Sequence, residues 1–158
     1  IHNGLLPLGL NMGLLWFVGG ELERRVGRAR YLVVYGIGCL GGAFAALLFA
    51  PMVGTFVPSG PVFACLGAVV VLRSREIGQV FAGAAGPLAI VNVLFAISPF
   101  ESHVAGFLPG VAVAGLYLLV ERSGADDRLG ALVIGIGGGA AALGACLWAS
   151  SLWLSPLF

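Results

Sequence analysis

The stretch Val57-Pro58-Ser59-Gly60-Pro61-Val62-Phe63-Ala64 places a serine hydroxyl at the head of an apolar run. A second stretch, Ser102-His103-Val104-Ala105-Gly106, places a histidine at the head of another apolar run. An imidazole that takes the proton of a nearby hydroxyl turns that hydroxyl into a nucleophile. The two stretches therefore raise the hypothesis of a nucleophile and its base at matching ends of two membrane helices.

The composition of the chain is that of a membrane protein. Of its 158 residues, 59% are hydrophobic and 9% are charged, whereas a soluble domain has about 25% charged residues. A net charge of +1 argues against a nucleic-acid partner. The three cysteines lie singly in apolar runs and form no CxxC pair, which argues against a disulfide framework and a zinc site, so we expect them to pack. They are Cys39, Cys65 and Cys146. The sequence implies no metal or organic cofactor.

Six apolar runs can be marked, most of them near the roughly 20 residues that a helix needs to cross a bilayer. None shows the sustained alternation of polar and apolar residues that is typical of a membrane β-barrel. The sequence therefore predicts an all-α membrane protein, a polytopic helical bundle with six spans. The runs cover residues 4–20, 31–53, 58–72, 77–97, 102–120 and 129–154.

The basic residues fall in alternate connections between these runs. The positive-inside rule places those connections in the cytoplasm. We expect an integral, multi-pass protein of the plasma membrane. Ser59 and His103 then begin their runs on the outer side, at similar depth. Segment 21–25 is interpreted as part of a solvated loop. The basic residues are Arg24, Arg25, Arg28, Arg30, Arg73, Arg75, Arg122 and Arg128.

The polar and small residues of the runs also have purely structural interpretations. Ser59 can cap the N-terminus of its helix, and His103 can lie at the membrane interface with its ring toward water. Asn11 lies inside the first run and can bind a neighbouring helix by hydrogen bonding. Gly106 and Gly110 share a run with His103 and form a small-xxx-small pattern, which lets two helices approach closely.

Several short motifs occur in a fixed order along the chain. They are segment 2–12, its continuation 15–27, Ser59-Gly60 followed by Phe63, and Ser102-His103-Val104-Ala105-Gly106 with Gly110. Segment 2–12 resembles the HGGxxHxxxNM stretch of the rhomboid family of intramembrane serine proteases. The serine segment resembles the family's GxSG motif, and the histidine segment resembles its AHxxGxxxG motif. In order, spacing and topology, residues 1 to about 120 are similar to this family.

The resemblance implies a rhomboid-like fold. The first five runs would correspond to the second to sixth helices of the six-helix family core, with the family's first helix upstream of Ile1. Residues 1–120 would form the rhomboid-like core. Residues 121–158 would form a cytoplasmic loop and an extra C-terminal transmembrane helix.

The resemblance also implies a reaction. Ser59 would attack the scissile carbonyl of a transmembrane protein substrate near the outer membrane face, with His103 as general base and then general acid. Asn11 would stabilise the oxyanion. The expected partners are transmembrane protein substrates and the lipid bilayer.

Three positions depart from the family pattern. The family's oxyanion-stabilising histidine, four residues before Asn11, is Pro7; the first glycine of GxSG is Val57, and Pro58 removes an amide donor before the serine. An alternative function is therefore that of a catalytically inactive rhomboid-like protein that binds transmembrane segments. A small transporter or channel subunit is a third, weaker alternative, because the runs contain few polar residues and no convincing repeat.

Overall fold

A computed structural model of the chain describes residues 5–49, 59–74, 86, 100–124 and 126–154. All regular elements within these ranges are α-helices, and no strand occurs there, so the predicted all-α class is confirmed. In chain order the helices are α1 (Leu5–Val26), α2 (Arg28–Phe49), α3 (Ser59–Leu72), α4 (Phe100–Ser123) and α5 (Asp127–Leu154).

Three segments of these helices are long enough and apolar enough to cross a membrane: Arg28–Phe49, His103–Ser123 and Asp127–Trp153. They agree with the prediction of a helical integral membrane protein. Helix α3 is apolar but has only 14 residues, and α1 is not among the three. The predicted run 77–97 lies outside the described residues, apart from Gly86. Six spans therefore stay a prediction.

Helix α3 forms the centre of the described bundle. Its residues from Ser59 to Val69 are all buried, as expected for a helix that is apolar on every side. Helices α1, α2 and α4 pack around it, whereas α5 packs mainly on α2. At about 1.5 Å per residue α3 is about 21 Å long, and the hydrocarbon core of a bilayer is about 30 Å thick. Helix α3 is therefore too short to cross that core.

Charged side chains collect at one end of the bundle, which we term the charged end. It is formed by the C-terminal ends of α1, α3 and α4 and the N-terminal ends of α2 and α5. Glu21 pairs there with Arg24 at 2.8 Å and with Arg73, which directly follows α3. The pair with Arg73 connects α1 to the C-terminal end of α3.

The prediction that segment 21–25 belongs to a loop is wrong. Helix α1 continues to Val26, and only Gly27 separates it from α2. Gly27 has a φ of 81°, which glycine adopts without strain, and its N–H donates to the carbonyl of Glu23 at 2.8 Å. Apolarity marks where a helix leaves the membrane, but glutamate, leucine and arginine all favour helix, so α1 extends beyond that point.

The connection between α4 and α5 is also short. Gly124, with a φ of 68°, follows the last residue of α4. The Oδ1 atom of Asp126 accepts the N–H groups of Arg128 at 2.7 Å and Leu129 at 3.0 Å, which caps the N-terminus of α5. Hydrogen bonds from Leu129 and Arg128 hold the pKa of the Asp126 carboxyl below its usual value.

Arg30 connects three helices at the charged end. Its guanidinium lies 3.4 Å from the carboxylate of Glu121 on α4 and 3.0 Å from that of Asp127 on α5. The same group lies 5.1 Å from the centre of the Tyr117 ring, in the range of a cation–π contact. Only 12% of the Arg30 side chain is exposed. One residue of α2 thus holds α4 and α5 together at this end.

We expect Arg30→Ala to lower the free energy of unfolding by about 1–3 kcal/mol, because the carboxylates and the ring lose a partly buried charged partner. Arg30→Lys should recover only part of this loss, since it keeps the charge but not the planar, forked contact. Thermal unfolding of the three proteins in detergent micelles measures the differences. Equal stability of wild type and Arg30→Ala would contradict the connecting role.

Candidate active site

Ser59 lies at the end of α3 that is opposite the charged end. It is the first residue of α3, and 1% of its surface is exposed. At the other end of α3, Arg73 pairs with Glu21 and holds the helix at the charged end. Ser59 is about 21 Å from Arg73 along the helix axis, which is less than the roughly 30 Å of hydrocarbon.

Helices α3 and α4 contact each other through glycines. A methyl group built on Gly106 would lie 2.7 Å from Cα of Gly60, and one built on Gly110 would lie 2.7 Å from Cα of Ala64. Both distances are well below the roughly 3.5–4.0 Å of an ordinary carbon–carbon contact. The small-xxx-small pair of α4 therefore lies against the backbone of α3, and the two helices run in the same direction.

His103 lies close to the level of Ser59 along the axis of the bundle. Ser59 is one residue before Gly60 and His103 is three residues before Gly106, so their levels differ by two residues, about 3 Å along the axis. His103 is buried, with 7% exposed. The Phe63 ring, one turn after Ser59, meets the imidazole edge to face, with ring centroids 4.2 Å apart and an interplanar angle of 88°. The two side chains proposed for catalysis are thus brought to one contact between α3 and α4.

Gly60, directly after Ser59, is packed on two sides. A methyl group built on it would lie 2.6 Å from the carbonyl oxygen of Gly38 and 3.0 Å from Cα of Gly42, both on α2. Gly106 of α4 covers the other side. The sequence predicts no such two-sided contact, although glycines recur at four-residue spacing in both flanking runs. The backbone that carries Ser59 is therefore fixed between α2 and α4.

Asn11 lies on the face of α1 that packs into the core, one turn before the buried Leu14. It is 5% exposed, and its Oδ1 atom is buried with no hydrogen-bond partner among the residues that the structure describes. Asn11 is about 15 Å from Glu21 along α1, and Ser59 is about 21 Å from Arg73, the partner of Glu21. Asn11 and Ser59 therefore lie within about a turn of each other in depth.

Of the three positions that depart from the family pattern, the structure describes only one. Pro7 lies in the first turn of α1, where a proline removes no helical hydrogen bond. His2, Val57 and Pro58 lie outside the described residues. Over the part of the chain that the structure describes, no group of three or more His, Cys, Asp or Glu side chains could hold a metal ion.

Three buried groups that a covalent acyl-transfer reaction can use lie at similar levels along the bundle. They are the hydroxyl of Ser59, the imidazole of His103 and the carboxamide of Asn11. Nucleophile, base and oxyanion donor are the three groups that such a reaction requires. Each comes from a different helix, so the site depends on the packing of α1, α3 and α4.

Comparisons with known proteins extend over most of the chain. The family profile of the Rhomboid domain matches residues 1–122. The chain is 30% identical over 139 residues to Rhomboid protease GluP of Bacillus subtilis (strain 168), covering 82% of this chain and 27% of that protein. It is 28% identical over 109 residues to Inactive RHOMBOID-like protein 8 of Arabidopsis thaliana, covering 69% of this chain and 30% of that protein. The chain thus spans less than a third of either relative. No solved structure matches it.

Proposed function

Because the chain belongs to the rhomboid family, we propose that it is an intramembrane serine endopeptidase that cleaves transmembrane protein substrates through Ser59 and His103. The observation that supports this most is the common position of the two side chains. Both are buried at one level of the contact between α3 and α4. One relative is named a rhomboid protease, which agrees with the proposal.

In the first half of the proposed reaction, His103 accepts the hydroxyl proton of Ser59 while Oγ bonds to the scissile carbonyl carbon. The electron pair of the C=O bond moves onto oxygen. As the bond to the leaving amine breaks, the imidazolium gives its proton to that nitrogen. In the second half, a water molecule gives a proton to His103 while its oxygen bonds to the acyl carbon. The bond from that carbon to Oγ then breaks, and the imidazolium returns the proton to Oγ, which regenerates Ser59 and neutral His103.

Phe63 would orient the imidazole. The edge-to-face contact of Phe63 with His103 favours one orientation of the ring. Contacts of this kind contribute about 0.5–1.5 kcal/mol beyond the area they bury.

Asn11 would stabilise the oxyanion. One end of its carboxamide is buried without a partner among the described residues, and rotation about χ2 exchanges the oxygen and the NH₂ group. The amide can therefore present an N–H to a developing negative charge without first breaking a hydrogen bond at that end. The backbone N–H of Ser59 would be a second donor.

The orientation in the membrane is part of the proposal. We place the charged end in the cytoplasm, following the positive-inside rule. Ser59 then lies near the outer face of the plasma membrane. Residues 1–120 form the catalytic core, and residues 121–158 supply the cytoplasmic turn and the additional helix α5.

The proposed function is tested with a fluorophosphonate probe, which forms a covalent bond with an activated serine. The chain is expressed in membranes as wild type, Ser59→Ala and His103→Ala, with an active rhomboid protease labelled in parallel. We expect labelling of wild type and none of either variant. No labelling of a folded wild type would sink the protease proposal.

Restoring the missing histidine should raise activity. We expect Pro7→His to increase the rate of cleavage about 10²–10³-fold, the usual effect of one oxyanion donor. Single-turnover cleavage of a transmembrane peptide in liposomes measures it. Leu8→His, which adds the same side chain one residue away, is the matched control and should leave the rate unchanged. An equal effect of both substitutions would refute the specific role of position 7.

Pro7 also favours the second candidate function, a catalytically inactive protein that binds transmembrane segments. A proline at this position offers neither a side-chain donor nor an N–H. One relative that shares 28% identity is named as inactive. This function predicts crosslinking to transmembrane peptides that Ser59→Ala leaves unchanged, together with no labelling by the probe.

A further inference from the structure

Two side chains of α5 donate hydrogen bonds to backbone carbonyls of α2. Trp153 Nε1 donates to the carbonyl of Leu47 at 2.7 Å, and Cys146 Sγ donates to the carbonyl of Leu40 at 3.4 Å. Both bonds join residues that are 106 apart in the chain, so the two helices run side by side in the same direction over about two turns. A thiol is a weak donor. The Trp153 bond is therefore the stronger attachment of α5 to α2 away from the charged end.

The carbonyl of Leu47 needs a donor from outside its own helix. Helix α2 ends at Phe49, and the last four carbonyls of a helix have no N–H partner within that helix. The residue four positions after Leu47 is Pro51, which has no N–H to donate. Trp153 thus supplies a hydrogen bond that the sequence of α2 cannot supply.

Helix α5 contacts α2 on the side that faces away from α3. At 3.6 residues per turn, Leu40 and Leu47 share one side of α2. Gly38 and Gly42 lie on roughly the opposite side, where they contact Gly60 of α3. Helix α2 therefore lies between α5 and the backbone that carries the proposed nucleophile.

Helix α2 also contacts α4 next to the proposed base. A methyl group built on Gly41 would lie 3.2 Å from the carbonyl carbon of Ala105, which is two residues after His103. The contact is thus made by backbone atoms, which cannot move aside as a side chain can. A displacement of α2 would therefore change the support of the Ser59 backbone and of the first turns of α4 together.

We propose that α5 positions the proposed site through α2, and that Trp153 is a positioning residue for Ser59 and His103. While the indole donates to Leu47, α2 stays packed against Gly60 and against α4. Without this bond the carbonyl of Leu47 loses its donor, and the end of α2 is free to move away from α3. The support of the backbone does not depend on catalysis, whereas its effect on the rate rests on the proposed function.

Three substitutions separate the hydrogen bond from other effects of the side chain. Trp153→Phe keeps an aromatic ring but removes the N–H. Trp153→His keeps an N–H at an equivalent place, because Nε2 of histidine and Nε1 of tryptophan are both two bonds from Cγ. Trp148→Phe is the matched control, because Trp148 lies on the same helix, is 57% exposed and donates to none of the described residues through its side chain.

Amide hydrogen exchange of the full chain in lipid nanodiscs tests the support without any reaction. We expect exchange within residues 43–49 and 59–63 to become about tenfold faster in Trp153→Phe, the factor that corresponds to one ordinary hydrogen bond. It should stay at the wild-type rate in Trp148→Phe and return toward that rate in Trp153→His. Unchanged exchange in Trp153→Phe, or an equal increase in Trp148→Phe, would overturn the proposal.

The rate of cleavage tests the positioning. The fluorophosphonate probe counts the active sites, so that a smaller folded fraction is not mistaken for a slower reaction. Per active site, we expect kcat for a transmembrane peptide to fall about tenfold in Trp153→Phe with KM unchanged, because Trp153 acts on the geometry of the site through α2. Trp153→His should recover most of the rate. Faster exchange with an unchanged kcat would show that Trp153 has no positioning role.

Two further results complete the test. If Trp153→Phe fails to fold, Cys146→Ala removes the other bond and should speed the same exchange by less, because a thiol is the weaker donor; no effect of that variant would then count against the proposal. A wild type that the probe does not label would refute the protease proposal, and the exchange measurement alone would then decide whether α5 supports the backbone at Gly60.

Discussion

Replacing Ser59 with alanine should reduce cleavage of a transmembrane peptide about 10⁶-fold, and replacing His103 with alanine should cost about the same. The double variant should be no slower than either single one. The two groups act as one unit in the proposed mechanism: without the hydroxyl the imidazole has no proton to take, and without the imidazole the hydroxyl stays a weak nucleophile. Losses that multiply would show instead that the two residues act independently.

The measurement is single-turnover cleavage in liposomes, which separates the chemical step from product release. Ser150→Ala is the control, because Ser150 is a serine of α5 whose hydroxyl donates to the carbonyl of Leu147 at 2.8 Å, outside the site. It should cleave at the wild-type rate. A residual rate within tenfold of wild type in Ser59→Ala would exclude the serine as nucleophile.

Much of the fold can be predicted from the apolar runs. Helices α2 to α5 begin and end within a few residues of the predicted apolar runs, wherever the end of the helix and the end of the run are both described. The reason is that a continuous apolar run of such length is typical of a buried or membrane-embedded helix. The end of α1 cannot be read this way. Glu21 lies past the apolar run but within the helix, since helix propensity and not hydropathy decides where α1 ends.

The candidate site is predicted in part. The positions of Ser59 and His103 at the heads of two runs indicate one face of the membrane, and the glycines of α4 indicate a close helix contact. Sequence spacing cannot show that Gly60 is enclosed by both α2 and α4, because that depends on the three-dimensional order of helices around α3.

Gly106→Val should remove both activity and much of the stability of the protein. A methyl group at Gly106 would lie 2.7 Å from Cα and 2.8 Å from the carbonyl carbon of Gly60. Backbone atoms cannot move aside as a flexible side chain can, and Gly60 is already held by Gly38 of α2. Helix α4 must therefore move away from α3 and carry His103 with it. Overpacking of this kind costs about 1–3 kcal/mol or more, and a shift of about 1 Å at a reacting group costs about 10²-fold in rate.

Gly115→Val separates this packing effect from the change in helix propensity. It adds the same side chain to the same helix, at a glycine where a methyl group would meet nothing within 4 Å among the described residues. We expect it to retain activity and to unfold within about 1 kcal/mol of wild type. If both variants lost activity and stability equally, the close approach of Gly106 to Gly60 would not be what holds His103 beside Ser59. A loss confined to Gly106→Val would instead show that catalysis depends on how closely α4 packs against α3.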